Sequence, residues 1–270
     1  MSREDELHQF GTDLAVTAGK RLLPYFGQVE REEKGKNDVV TAADRSIEQF
    51  VVNSLSAKFP GCQIISEETL AGADKIAGEC WVLDPLDGTV GFAAGIRFFA
   101  ISLALLRDGD PVMGWIYDPV HDELFQARKG GGFFLNGKKA GLAPDPRLLP
   151  AVLSSGLIDQ AARNGWSGEL FDTAGKFRIL GSQALHLAYV ASGRVRMALN
   201  WNCRIWDDAA GSLFVQEAGG KYSDCYGRPI FPLKSGDAAL AGKEIRTVAG
   251  PPAEYEQMMA LLRKHLKTPA

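Results

Sequence analysis

The sequence predicts an α/β protein of the α+β kind, with mixed rather than purely parallel sheets. Three observations carry that expectation. Amphipathic helical patterns open and close the chain, two short apolar runs in the first half each stop in acid, and residues 98–136 alternate strand-like runs with tight-turn signals. Apolar runs stopped by a polar cluster read as buried strands whose ends open on a site. The alternating stretch describes an antiparallel meander, which rules out a plain parallel doubly wound sheet.

In chain order, Leu7, Phe10, Leu14, Ala18 and Leu22 recur at helical spacing and predict a helix that ends before Pro24. A second helix is expected after Thr41, with Ile47, Phe50, Val51, Leu55 and Phe59 on one face. Asp44 falls in its first turn, where the partial positive charge of a helix N-terminus favours a carboxylate. Ile64-Ile65 runs into Ser66-Glu67-Glu68, and Trp81-Val82-Leu83 runs into Asp84-Pro85-Leu86-Asp87-Gly88-Thr89; both read as strands. Turns at Asp108-Gly109-Asp110, Gly130-Gly131-Gly132 and Asn136-Gly137 punctuate the meander. Between Asn136 and Pro150 the chain turns to Gly, Lys, Pro and Asp, which places a boundary between an N-terminal half, residues 1–140, and a C-terminal half, residues 141–270. In the second half, residues 151–154 and 177–180 read as strands, and residues 182–192, 207–218 and 254–267 as helices.

With 270 residues, 46% of them hydrophobic and 23% charged, the composition is that of an ordinary globular protein and excludes disordered, collagen-like and disulfide-scaffold classes. A formal charge of -3 gives no footprint for nucleic acid, so no such partner is expected. The acidic opening has no apolar signal region, and no run approaches the roughly 20 apolar residues that span a bilayer. Cys62, Cys80, Cys203 and Cys225 lack CxxC spacing, which points to reduced, packed thiols in a cytoplasmic protein. His8, His121, His186 and His265 are scattered and form no HExxH pair.

The hexapeptide from Asp84 to Thr89 is the most informative. Two carboxylates three residues apart can face one cation while Pro85 stiffens the connection and Gly88 lets backbone approach a ligand. A helix starting near Thr89 would aim its free N–H groups at the same place, a natural phosphate cradle. All-oxygen ligation suits Mg²⁺ or Mn²⁺ rather than zinc. The bland reading is that Asp84 and Asp87 make a turn and a helix cap. A second alternative, an aspartyl-phosphate phosphatase, needs its second aspartate two residues on, where this chain has Leu86. Asp207-Asp208 after Trp206 adds another acidic element end, and on a helix these neighbours point about 100° apart, so Asp208 is expected to face away from the cleft.

Four segments together resemble the inositol monophosphatase-like, metal-dependent phosphatases, in that family's order: Asp38 to Asp44 (DVVTAAD), Ile65-Ser66-Glu67-Glu68, Leu83 to Thr89, and Trp206-Asp207-Asp208-Ala209-Ala210-Gly211. The resemblance implies a layered αβαβα sandwich of the sugar-phosphatase type, a homodimer, and two or three Mg²⁺ ions, with Mn²⁺ as a substitute. It also implies metal ligation by Glu67, Asp84, the Leu86 carbonyl, Asp87 and Asp207, with Asp84 bridging. Glu67 and Thr89 resemble the pair that orients and deprotonates the attacking water, with Asp44 holding the Thr89 hydroxyl. Gly88 and Thr89 would offer N–H groups to the phosphate.

The implied reaction is hydrolysis of a small phosphorylated polyol, inositol monophosphate first. Alternatives are fructose 1,6-bisphosphate, histidinol phosphate or a 3′-phosphonucleotide, and, more distantly, a regulatory binding protein that keeps the fold. This chain departs from the family at Val90-Gly91-Phe92, where Thr-Asn-Phe is frequent, and at Asn200, where inositol-phosphate enzymes place a glutamate that bonds sugar hydroxyls. Asn200 is therefore a candidate substrate contact, as is Ser182, which could equally cap a helix. Arg194, Arg196 and Arg204 are either surface residues or receptors for a second anionic group.

Overall fold

Seven strands drawn from residues before 140 form one sheet, five drawn from residues after 150 form a second, and two helices lie between them. The computed structural model describes residues 2–28, 32–35, 38–67, 76, 78–237 and 242–267. The first half runs α1 (Arg3–Leu22), a small hairpin of β1 (Glu32–Gly35) and β2 (Asp38–Val40), α2 (Ala42–Lys58), β3 (Gln63–Ser66), β4 (Glu79–Asp87) and the short α3 (Thr89–Ala93). It continues as the expected meander, β5 (Ala100–Arg107), β6 (Asp110–Asp118), β7 (Glu123–Arg128), β8 (Gly132–Leu135) and β9 (Lys138–Lys139). The second half comprises β10 (Ala151–Leu153), α4 (Ser155–Arg163), α5 (Ser167–Ala174), β11 (Phe177–Arg178), α6 (Gln183–Ala191), β12 (Ala198–Cys203), α7 (Ile205–Glu217), β13 (Lys221–Asp224), β14 (Ile245–Gly250) and α8 (Pro252–His265).

The large sheet follows chain order from β3 to β9, with β3 and β4 parallel and every later pair antiparallel. The small sheet has the order β11-β10-β12-β14-β13, parallel on one side of β12 and antiparallel on the other. Both are mixed, as the sequence predicts.

Strand periodicity sorts the core into layers, because successive side chains of a strand face opposite sides. On β4, Trp81 and Leu83 face α1 and α2, meeting Leu14, Ala18, Ile47 and Val51, while Cys80 and Val82 face α6 and α7. The same two helices cover Val152, Ala198 and Ala249 of the small sheet. Its other face, with Leu153, Leu199 and Val248, packs on α4, α5 and α8. The order is therefore α, β, α, β, α. At Gly211 of α7 a Cβ would lie 2.5 Å from Leu187 of α6, so the two central helices meet at backbone distance.

Several elements differ from expectation. β4 does not stop at Asp84 but continues through Asp87, and α7 begins two residues before Asp207. The β1–β2 hairpin, α4, α5 and strands β12, β13 and β14 have no counterpart among the elements the sequence predicts. The four cysteines are unpaired and Cys80, Cys203 and Cys225 are buried. Among the described residues no helix is long and apolar enough to cross a membrane.

Candidate active site

The end of β4 sets the geometry. Residues 84 and 87 are an odd number apart, so in a regular strand they would face opposite sides. Here Asp84 pairs with Ser102 but Asp87 with Ala100, which sets three steps of β4 against two of β5. This bulge lets both carboxylates face one side, and Pro85, with no N–H to donate, sits inside it. The Leu86 N–H donates to Asp84 Oδ1 at 2.9 Å, fixing the carboxylate within the bulge. Gly88 then adopts a left-handed conformation, φ 97°, with the Phe98 carbonyl 3.0 Å from where a Cβ would stand, and α3 begins at Thr89.

Two other elements aim at this strand end. Ser102, opposite Asp84, donates to the Trp206 carbonyl at 3.1 Å and so tethers the first turn of α7 beside β4. Within that turn Asp207 accepts the Arg204 N–H at 2.7 Å on Oδ2, a helix-capping bond. At the end of β3, Ser66 is paired with Leu83, and the Glu67 N–H donates to the Leu83 carbonyl at 3.3 Å. That places Glu67 beside Asp84.

One oxygen from each of Asp84, Asp87 and Asp207 lies within 4.8 Å of the others. Burial, followed by repulsion from Glu67, Asp87 and Asp207, holds Asp84 well above the usual carboxylate range. Asp207 is pushed the same way by burial, Asp87 and Glu67, against the opposing Arg204 N–H. Asp87 is pushed up to about 6 by burial, moderated by hydrogen bonds from Ser182, Ala184 and Gln183. The trio is thus a set of converging oxygen donors, two of them buried and Asp207 half-buried, of the kind that could hold a hard divalent cation.

Behind the trio, Asp44 is 1% exposed and caps α2, accepting the Thr41 N–H at 2.8 Å and the Thr41 hydroxyl at 2.6 Å. Its other oxygen faces the Thr89 hydroxyl at 3.1 Å, which also lies 2.8 Å from the Leu86 carbonyl. A hydroxyl has one proton, so it serves one acceptor at a time. Burial raises the Asp44 carboxyl, and the bonds from Thr41 and Thr89 lower it.

This arrangement matches known proteins throughout the chain. The profile of the inositol monophosphatase family matches residues 3–267. The chain belongs to that family. It is 36% identical over 239 residues to an inositol-1-monophosphatase of Mesorhizobium japonicum, covering 86% of this chain and 89% of the relative. It is 36% identical over 245 residues to the Nus factor SuhB of Escherichia coli, covering 88% and 87%, and 34% identical over 232 residues to a fructose-1,6-bisphosphatase/inositol-1-monophosphatase of Thermotoga maritima, covering 81% and 85%. The solved structure of the extragenic suppressor protein suhB from Bartonella henselae superposes with a TM-score of 0.82 at 31% identity, covering 97% of this chain and 100% of that one. This inositol monophosphatase family member is accordingly a phosphoric monoester hydrolase with the fold of its relatives, in a metal-dependent family.

In this family member the structure brings Asp84, Asp87 and Asp207 together, with Glu67, Leu86, Gly88, Thr89 and Asp44 around them. Glu68 lies outside the described residues. Ser182, a candidate substrate contact in the sequence, is fully buried, and its hydroxyl donates to Asp87 Oδ2 at 2.6 Å while capping α6. Asn200 lies half-buried on β12, and its side-chain oxygen accepts the Asn202 N–H at 2.9 Å before a bulge. Arg194 forms a fork on Glu123 at 2.5 and 2.6 Å, Arg196 donates to the Thr173 and Ala174 carbonyls, and Arg204 pairs with Glu244 at 3.3 Å.

Sequence reasoning missed the polar network behind Asp207. Asp208, expected to be idle, is fully buried and accepts from Gln183 at 2.8 Å and the Tyr222 hydroxyl at 2.6 Å. Its partners come from α6 and β13, and nothing local in the Asp-Asp pair announces them.

Proposed function

We propose that the chain is a Mg²⁺-dependent phosphomonoesterase acting on a small phosphorylated polyol, inositol monophosphate first, by a two-metal activated-water mechanism. The observation that carries this reading is the trio of buried Asp84, buried Asp87 and half-buried Asp207, which offer one oxygen each within 4.8 Å of one another and raise one another's carboxyls. Glu67, Asp84 and the Leu86 carbonyl would hold one ion, and Asp84, Asp87 and Asp207 the other. When bound, the ions acidify water and offset the charge that develops on the attacking and leaving oxygens.

The remaining roles fall to side chains and backbone. Asp44 accepts the hydrogen bond of the Thr89 hydroxyl, so the lone pairs of Thr89 Oγ1 would orient the water, and Glu67 would remove a proton from it. The Gly88 and Thr89 N–H groups, at the start of α3, meet the phosphate. Asn200 meets substrate hydroxyls, donating as well as accepting where a carboxylate would accept alone.

The name of the Thermotoga relative favours a second reading, the same chemistry on fructose 1,6-bisphosphate. Against it, Arg194, Arg196 and Arg204 are engaged by Glu123, backbone carbonyls and Glu244 and make a poor receptor for a second phosphate. We place the protein in the cytoplasm as a homodimer. The test is phosphate release from a panel of small phosphoesters with Mg²⁺ and after chelation. Inositol monophosphate should lead, EDTA should abolish turnover, and Asn200→Glu should shift kcat/KM ratios further towards inositol phosphates. Full turnover after chelation would sink the metal mechanism, and silence across the panel would favour a binding or regulatory role.

A further inference from the structure

We propose that Ser182 is a positioning residue whose hydroxyl, reaching from the second half of the chain, sets the Asp87 carboxylate as a metal ligand. The inference rests on the metal reading of the acidic trio. Asp87 ends β4 and Ser182 precedes α6, so the bond joins the large sheet to the central helix layer.

The direction of each bond is fixed by chemistry. The Leu185 N–H donates to Ser182 Oγ at 3.2 Å, so the hydroxyl is an acceptor there, and its one proton goes to Asp87 Oδ2 at 2.6 Å. The Ala184 N–H donates to the same Oδ2, also at 2.6 Å. These two donors on Oδ2, with the Gln183 N–H as a third donor to the carboxylate, hold the side-chain torsion in the pose in which Asp87 offers an oxygen to Asp84 and Asp207.

The turn that supplies these donors is itself anchored. The Gln183 side chain donates to Asp208 Oδ1 at 2.8 Å and lies 3.3 Å from the Thr247 hydroxyl. Asp208 neighbours Asp207, so the turn bearing Ser182 and Gln183 registers the ligand from β4 against the ligand from α7. Ser182 is fully buried and its one proton is committed to Asp87, which leaves it none to donate to a substrate.

Ser182→Gly separates orientation from capping, since Gly caps a helix almost as well as Ser. Ser182→Thr restores the hydroxyl. Calorimetric titration of Mg²⁺ alone into the purified chain should show binding weakened by about 10–100-fold in Ser182→Gly and nearly normal in Ser182→Thr. Substrate KM at saturating Mg²⁺ should be unchanged in both. Wild-type Mg²⁺ affinity in Ser182→Gly, or a raised substrate KM beside unaltered Mg²⁺ affinity, would overturn the proposal. The wild type gives a second reading that needs no variant to fold: the Ala184 amide resonance should move when Mg²⁺ is added, and an unmoved resonance contradicts the proposal. The Mg²⁺ titrations need no substrate. A wild type that binds Mg²⁺ yet releases no phosphate would sink the proposed reaction and leave the Ser182 comparison standing.

Discussion

Asp207 and Asp208 are adjacent on the first turn of α7, and they open onto two buried acidic regions of opposite character. Both carboxyls are raised by burial. Asp208 is met by Gln183 and Tyr222, whose hydrogen bonds offset the desolvation and hold it at about 6. Asp207 receives one N–H, and it offers an oxygen within 4.8 Å of those of Asp84 and Asp87. Burial by itself therefore does not identify a metal site. What separates the regions is whether protein donors complete the carboxylate, as around Asp208, or other carboxylates face it, as in the cleft.

Substitutions on the two sides should break in different ways. The largest effect is expected for Asp84→Asn, which keeps the size and the oxygen that accepts the Leu86 N–H but removes charge from the trio. Steady-state kinetics at saturating Mg²⁺ should show kcat/KM falling by at least about a thousandfold, ~4 kcal/mol of transition-state stabilisation. The metal-free fold should be as stable as the wild type or more so, because repulsion is relieved.

Asp208→Ala should do the reverse. It strands the Gln183 amide and the Tyr222 hydroxyl, which should cost about 2 kcal/mol in denaturant unfolding. Its loss of activity should be far smaller than that of Asp84→Asn. Near-normal turnover in Asp84→Asn, or an Asp208→Ala variant as stable as the wild type, would erase the distinction between the regions.

The sequence made the acidic trio legible and the donors behind it not. Asp84, Asp87 and Asp207 stand in local motifs, and the family resemblance names them together. The bland and functional readings of these acids do not compete, because one carboxylate can serve a turn or cap and still face the site. Asp44 caps α2 with one oxygen and meets the Thr89 hydroxyl with the other, and Asp207 and Asp84 accept backbone N–H groups while each also offers an oxygen to the trio. The donors that complete Asp208 and orient Asp87 come from residues far away in sequence, and only the packing of α6 on α7 and β4 brings them near. The missed helices α4 and α5 are short, and β12, β13 and β14 interrupt their apolar residues with Asn, Lys, Ser and Arg, so neither periodicity runs long enough to be read.

The central claim, that the free oxygens of the trio await cations, is tested most directly by thermal unfolding of the wild type and Asp84→Asn side by side. A carboxyl whose pKa is raised on folding favours the fold at low pH and loses that contribution as pH rises through the raised value. Asp87 does so towards about 6, and Asp84 and Asp207 are also raised. His8 and His186, lowered to about 4 and about 3 by burial, act in the opposite sense, but they are common to both proteins and cancel in the difference. Without metal, the wild type should fall progressively below Asp84→Asn in melting temperature as pH rises from about 5 to about 8, and Mg²⁺ should reverse the deficit. A deficit that is absent or shrinks with rising pH, or a wild type indifferent to Mg²⁺, would contradict the account.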